Sequence, residues 1–267
     1  MQGRTESRQR WPVVFLALYV GSGLAADYAT LPGGRFESVL PQGRAPAVSV
    51  PVQIAPYALR TTPVTSGEFL AFVTAHPEWR RGQVPAVFAD EGYLADWRSP
   101  LELGAADAAD RPQTRVSWFA ARAFCESEGA RLPTWLEWEY AASADETRGD
   151  ARADPQWRQR ILAWYGRPTA SLLPRVGGAA NAYGVRDLHG LVWEWVDDFN
   201  ALFIAEDSRT QGDSDTLRFC GAGAISILDR ESYAVLMRVA LLSSLSAADT
   251  TGNLGFRCAR SVDANRP

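Results

Sequence analysis

Arg131-Leu132-Pro133-Thr134-Trp135-Leu136-Glu137-Trp138-Glu139-Tyr140 is the stretch on which the fold reading turns. Thr134 followed at the third position by Glu137 is a capping box, so a helix starts here, carries Trp138 and Tyr140, and runs to about Ser143. Just upstream, Ser117 caps another helix in which Trp118, Ala121 and Cys125 recur at helical spacing before Gly129 ends it, so Cys125 faces the core. Farther back, Thr65 and Glu68 form a second capping box, with Phe69, Phe72 and Val73 on the apolar face and His76-Pro77 as the stop. Upstream of these, Leu31 to Val39 reads as a glycine-turned strand entry and Val48 to Leu59 as a β-rich stretch. Downstream, residues 144 to 186 lose regular pattern, apart from an apolar cluster at Ile161 to Tyr165. Short β-type runs then return at Leu191 to Val196, Phe219 to Leu228, Ala234 to Leu242 and Gly255 to Ala259. Few long helices, short strands and many tryptophans predict an irregular α+β domain with long ordered loops.

Composition narrows the chemistry. All 27 basic residues are arginine, which removes lysine Schiff bases, P-loop lysines and lysine general bases. A net charge of −4 with no basic run gives no nucleic-acid stripe. Two histidines, His76 and His189, cannot make a three-imidazole metal site. Arg4, Arg8 and Arg10 ahead of the apolar run Trp11 to Val20, with small residues up to Ala25, read as a secretory signal peptide. The expected organisation is therefore a signal peptide over 1–25 and one domain over 26–267, exported to a periplasmic or equivalent space, with no membrane span after cleavage. That compartment permits disulfides, and Cys125, Cys220 and Cys258 leave one thiol over after a single bridge.

Five ordered motifs carry a resemblance: Thr61-Thr62-Pro63-Val64-Thr65, the Arg131 to Tyr140 stretch, Asn181-Ala182-Tyr183-Gly184, Gly190-Leu191-Val192-Trp193-Glu194-Trp195 and Asn253-Leu254-Gly255-Phe256-Arg257-Cys258. Together they resemble the formylglycine-generating enzyme, or sulfatase-modifying factor, family over residues 30 to 261. The resemblance implies that family's fold, a relative of C-type lectins with little regular secondary structure. His76 to Arg80, Phe88 to Trp97 and Phe219 to Gly223 are most similar to an exported branch associated with copper nitrite reductase gene clusters.

The family's oxidases hold copper(I) with two cysteines five residues apart, since a soft ion prefers thiolates. In this sequence the matching turn is Gly221-Ala222-Gly223, no cysteine lies between Cys220 and Cys258, and Ser226 and Glu231 stand about where the thiols would be. Copper chemistry of that type is not expected. The resemblance also implies a Cys125–Cys258 disulfide and a calcium site of Asp187, the Gly190 and Val192 carbonyls, and Glu194, a hard-oxygen set suited to that ion. The other reading of these residues is that Asp187 closes a turn and Glu194 pairs with Arg186 or Arg257. Trp193 matches a tryptophan bordering the family's cleft; with Cys220 and Arg238 it makes the candidate ligand-contacting set. Two functions follow. One is an exported accessory or maturation protein, such as a denitrification accessory, that binds a ligand or a partner oxidoreductase such as nitrite reductase through the cleft. The alternative is an oxidoreductase with nonheme metal or altered chemistry acting on a small or peptide-linked substrate.

Overall fold

The computed structural model describes residues 26–40, 51–104, 108–166, 172–202 and 233–262. The expected signal peptide and the Phe219 to Leu228 run, with Cys220, Ser226 and Glu231, lie outside the described residues.

Strand β1 (Tyr28–Leu31) pairs antiparallel with β4 (Tyr57–Arg60), Tyr28 opposite Arg60 and Leu31 opposite Tyr57. A hairpin-like pair, β2 (Gly34–Phe36) and β3 (Val52–Ile54), leaves the β1 end through Gly33. Gly33 has φ +64°, and a Cβ there would lie 2.2 Å from the Ile54 carbonyl oxygen, so the turn tolerates no side chain. After β4 the chain enters α1 (Ser66–Ala75), α2 (Trp118–Ser127) and α3 (Trp135–Ala142). Each begins as the sequence predicts: Thr65 and Thr134 form capping boxes with Glu68 and Glu137, and the Ser117 hydroxyl accepts from the Ala120 N–H. His76 closes α1.

Helix α4 (Pro155–Tyr165) stands in the stretch where the sequence reading saw only an apolar cluster. Asp154 caps it by accepting from the Gln156 and Trp157 amides, and Pro155 opens it where a missing N–H costs nothing. The other correction concerns Ala234 to Leu242, expected as a β-type run. It is helical: α5 spans Tyr233–Ser243. Nearly every residue of that run is apolar, and both faces pack, so neither a period of two nor one of 3.6 stands out. Its β-branched valines then mislead, because tertiary packing overrides local propensity.

The chain closes on itself with short pieces. Strand β5 (Trp193–Glu194) lies parallel to β6 (Leu254–Gly255), and β7 (Ala259–Ser261) completes the first sheet in the order β1-β4-β7. Between β6 and β7 the chain stays extended, its carbonyls accepting from Val64 and Arg60. This places the final motif against the start of α1. The core is aromatic: Phe69 packs on Phe72, Trp97, Phe124 and Phe256 with centroids 5.3 to 6.4 Å apart. Cys125 and Cys258, both fully buried, are disulfide-bonded, tying α2 to the residue before β7 as the family resemblance implies. Among the described residues no helix is long and apolar enough to cross a membrane.

Candidate functional site

The Trp-Glu-Trp motif of β5 sorts its side chains by strand alternation: Trp193 to one face, Glu194 to the other, Trp195 back again. Glu194 is fully buried and lies within reach of three donors. Arg257 approaches its carboxylate as a fork, Nε to Oε2 at 2.9 Å and Nη2 to Oε1 at 2.8 Å, and the Trp138 indole N–H donates to Oε2 at 2.8 Å. Arg257 spends its remaining N–H groups on the carbonyls of Arg60, Thr61 and Arg186. One guanidinium thus joins the end of β4, the loop before β5 and β5 itself, and all five of its donors are satisfied.

Arg238, on α5, is the second guanidinium here. It is 1% exposed, donates from Nη2 to the Glu194 backbone carbonyl at 2.6 Å, and lies 3.5 Å over the Trp138 ring. Burial pulls its pKa down to about 10, against the attraction of Glu194. Two buried guanidiniums therefore share one buried carboxylate, and the face of an indole supports the excess charge. Beside them His189 meets Trp138 and Trp157 edge-on, and its Nε2 is 2.8 Å from the Ala142 carbonyl. That contact assigns the proton to Nε2 and leaves Nδ1 buried without a partner. Burial lowers the imidazole pKa to about 4, so the ring is neutral at neutral pH.

On the solvent side, Trp193 packs on the C-terminal end of α4, 4.9 Å from the Tyr165 ring and 6.0 Å from that of Trp164. These three half-buried rings make an aromatic wall above the charged cluster. Burial raises the Tyr165 pKa to about 12, keeping its hydroxyl protonated. Trp193 and Arg238, both predicted as ligand-contacting residues, are thus brought into one region. Their roles differ: Trp193 presents a face, whereas Arg238 is sealed beneath as a support. Cys220 lies outside the described residues. The sequence reading missed the partners of Trp193, although Asp154-Pro155 as a helix start, with Trp157, Ile161, Trp164 and Tyr165 behind it, carried the signal.

The residues named for calcium have other occupations. Asp187, at φ +61°, accepts the Gly177 and Gly178 amides on its two oxygens at 2.7 and 2.9 Å. Glu194 is enclosed by Arg257 and Trp138. Calcium takes six to eight oxygens converging on one point. A carboxylate closed by a guanidinium fork offers it none, so this donor set, as arranged, does not fit the ion, and among the described residues no group of three His, Cys, Asp or Glu side chains converges for a metal. The expected result is a melting temperature unchanged across millimolar calcium and chelator. A calcium-dependent rise would mean that Arg257 gives up Glu194.

The profile of the sulfatase-modifying factor enzyme 1-like domain matches residues 22–262. The chain is 32% identical to the formylglycine-generating enzyme of Streptomyces coelicolor, with 87% of this chain and 88% of that protein covered. It is 31% identical to the inactive C-alpha-formylglycine-generating enzyme 2 of Mus musculus, with 96% and 92% covered. Among solved structures, that of CarF aligns with a TM-score of 0.47 at 16% identity, covering 89% of this chain and 99% of CarF.

Proposed function

The chain belongs to the sulfatase-modifying factor enzyme 1-like family, and from that premise we propose that it serves as an exported accessory or maturation protein that binds a partner at the aromatic wall of Trp193. It is not, on this reading, a formylglycine-generating oxidase. The observation that carries the proposal is a count of thiols. The sequence has three cysteines, and Cys125 and Cys258 are consumed in a buried disulfide, so Cys220 is the one thiol left. Copper(I) held by two thiolates needs a pair that a single chain of this sequence does not supply. A partner such as an exported copper nitrite reductase rests on the resemblance of His76 to Arg80, Phe88 to Trp97 and Phe219 to Gly223 alone.

Incubation of the copper-reconstituted, disulfide-intact protein with a sulfatase-type cysteine peptide is the direct test. No mass loss at the peptide cysteine is expected, and Trp193→Ala should weaken binding of purified copper nitrite reductase while leaving the melting temperature within a few degrees of the parent. Clear turnover of the peptide would overturn the proposal in favour of an oxidase in which Cys220 has found a second ligand.

A further inference from the structure

Glu139, on α3, carries a second buried carboxylate, one that the cluster beneath Trp193 does not use. It is 2% exposed, and it accepts three hydrogen bonds, all from uncharged donors. The Ser38 hydroxyl and the Trp135 indole N–H reach Oε2 at 2.5 and 2.8 Å, and the Val39 amide reaches Oε1 at 2.8 Å. Ser38 Oγ in turn accepts the Leu40 amide at 3.1 Å. One side chain of α3 thus clamps residues 38–40, which continue from β2.

No guanidinium donates to this carboxylate among the described residues. Arg152 attracts it, yet the hydrogen bonds of Arg152 go elsewhere: Nε and Nη2 to Asp150 at 3.0 and 2.7 Å, and Nη1 to the Glu37 carbonyl. The guanidinium itself lies 4.3 Å over the Phe36 ring. Withdrawing an ion from water with no counter-ion in contact disfavours the ionised form. The three hydrogen bonds and Arg152 oppose this, but burial is the larger effect and pushes the Glu139 carboxyl up from its ordinary value.

The clamp accommodates either protonation state without moving a heavy atom. When Glu139 is ionised, Ser38 donates to it. When Oε2 carries a proton the bond reverses, because Ser38 Oγ has two lone pairs and accepts from Glu139 and the Leu40 amide together. The Val39 and Trp135 donors keep their acceptors. The other titratable groups packed against α3 have partners of their own. Glu137 forks onto Arg131 at 2.6 Å, and burial keeps Tyr57 and Tyr183 protonated. Asp198, also raised by burial, accepts the Trp135 backbone N–H at 2.7 Å. His189, lowered to about 4, lies on the Ala142 carbonyl.

We propose that Glu139 makes this clamp a pH-controlled latch, which closes on residues 38–40 as the carboxyl takes up a proton and opens more readily as it ionises. By linkage, a carboxyl held above its unfolded value stabilises the closed state fully below that unfolded value, and the contribution is lost as pH rises through the folded value. Opening returns Glu139 to water, so the open fraction grows by up to roughly tenfold per pH unit across that window. His189 works in the opposite direction: its lowered pKa contributes stability above its ordinary value of 6.5 that is lost on acidification. A local probe at residues 38–40 separates the two effects, whereas a global melting temperature mixes them.

The test is NMR of the isotope-labelled, disulfide-bonded protein from about pH 4 to about pH 8. The Glu139 carboxyl carbon should titrate with a midpoint above its ordinary 4.5. Exchange of the Val39 and Leu40 amides, corrected for the chemical exchange rate, should show opening that rises with pH up to that midpoint and then levels off. Ser38→Ala removes a donor that favours the ion, so it should move the midpoint to still higher pH, a shift that a merely structural serine would not cause. Asp198→Asn should leave the Val39 profile as it is in the parent. If Ser38→Ala does not fold, the parent's titration and exchange decide alone. The proposal is overturned if Glu139 titrates at or below 4.5, if opening at Val39 and Leu40 does not change with pH, if Ser38→Ala leaves the midpoint in place, or if Asp198→Asn abolishes the profile.

Discussion

Replacing both Cys125 and Cys258 by alanine is expected to lower the unfolding free energy by about 5 kcal/mol. The bridge spans a sequence separation of 133 residues, half the chain, and in the chain-entropy description a cross-link of that length removes much of the freedom of the unfolded state. What it joins adds to the effect. Cys258 precedes β7, an edge strand of three residues that pairs with β4 and, through Ala259, with Arg131. Without the bond the last strand is held by a few ladder hydrogen bonds, by Phe256 and by the Arg257 fork on Glu194. A domain of this kind has a total stability of about 5–15 kcal/mol, so the double variant should lose between a third and all of it. The measurement is a urea titration in a Cys220→Ser background, which keeps the odd thiol from exchanging into new bridges. A loss under about 1 kcal/mol would mean that the reduced, unfolded chain is already compact enough for the cross-link to matter little.

How far the sequence anticipated the architecture depends on whether the signal was local. The starts of α1, α2 and α3 were legible because a capping residue and its partner three positions on are adjacent in the chain, and the structure shows the Thr65–Glu68 and Thr134–Glu137 bonds. The boundary of α5 was not, because an apolar helix packed on more than one side has no polar face to betray its period. The site divides in the same way. Trp193 and Glu194 were singled out by motif, and the pairing of Glu194 with Arg257 stood as one of two readings. Which reading holds is fixed by a contact across 63 positions, and no local pattern contains it. Arg238 was placed with Trp193 and Cys220 in the candidate ligand-contacting set because it follows the Cys220 turn in the chain. Its seat on Trp138 depends on α3 and α5 meeting, which is a tertiary fact. The burial of Glu139 on uncharged donors had no sequence signature at all, since Ser38 and Val39 lie 101 and 100 positions away.

Glu194→Gln is expected to destabilise the protein by about 3–5 kcal/mol, the range for removing one partner of a buried ion pair. The substitution is chosen because it keeps shape and an acceptor: the amide oxygen can still receive the Trp138 N–H. What disappears is the charge, and with it the only carboxylate that Arg257 touches among the described residues, at a side chain 0% exposed. Arg238 suffers as well, because Glu194 is the group whose attraction opposes the lowering of its pKa by burial. Two guanidiniums would then be buried with no counter-charge in contact among the described residues. Arg257→Lys should not be milder than Arg257→Met by more than about 1 kcal/mol, since a single ammonium cannot reach acceptors as dispersed as the Glu194 fork and the carbonyls of Arg60, Thr61 and Arg186. Removing both charges together is a different matter. The pair Glu194→Leu with Arg257→Met should cost markedly less than the two single variants added, because neither partner is left ionised in an apolar site. Chemical denaturation at neutral pH of the two singles and the double gives the coupling. If the singles add without a coupling above about 1 kcal/mol, the Glu194–Arg257 fork does not hold β5 to the end of β4, and the support proposed for the Trp193 wall falls with it.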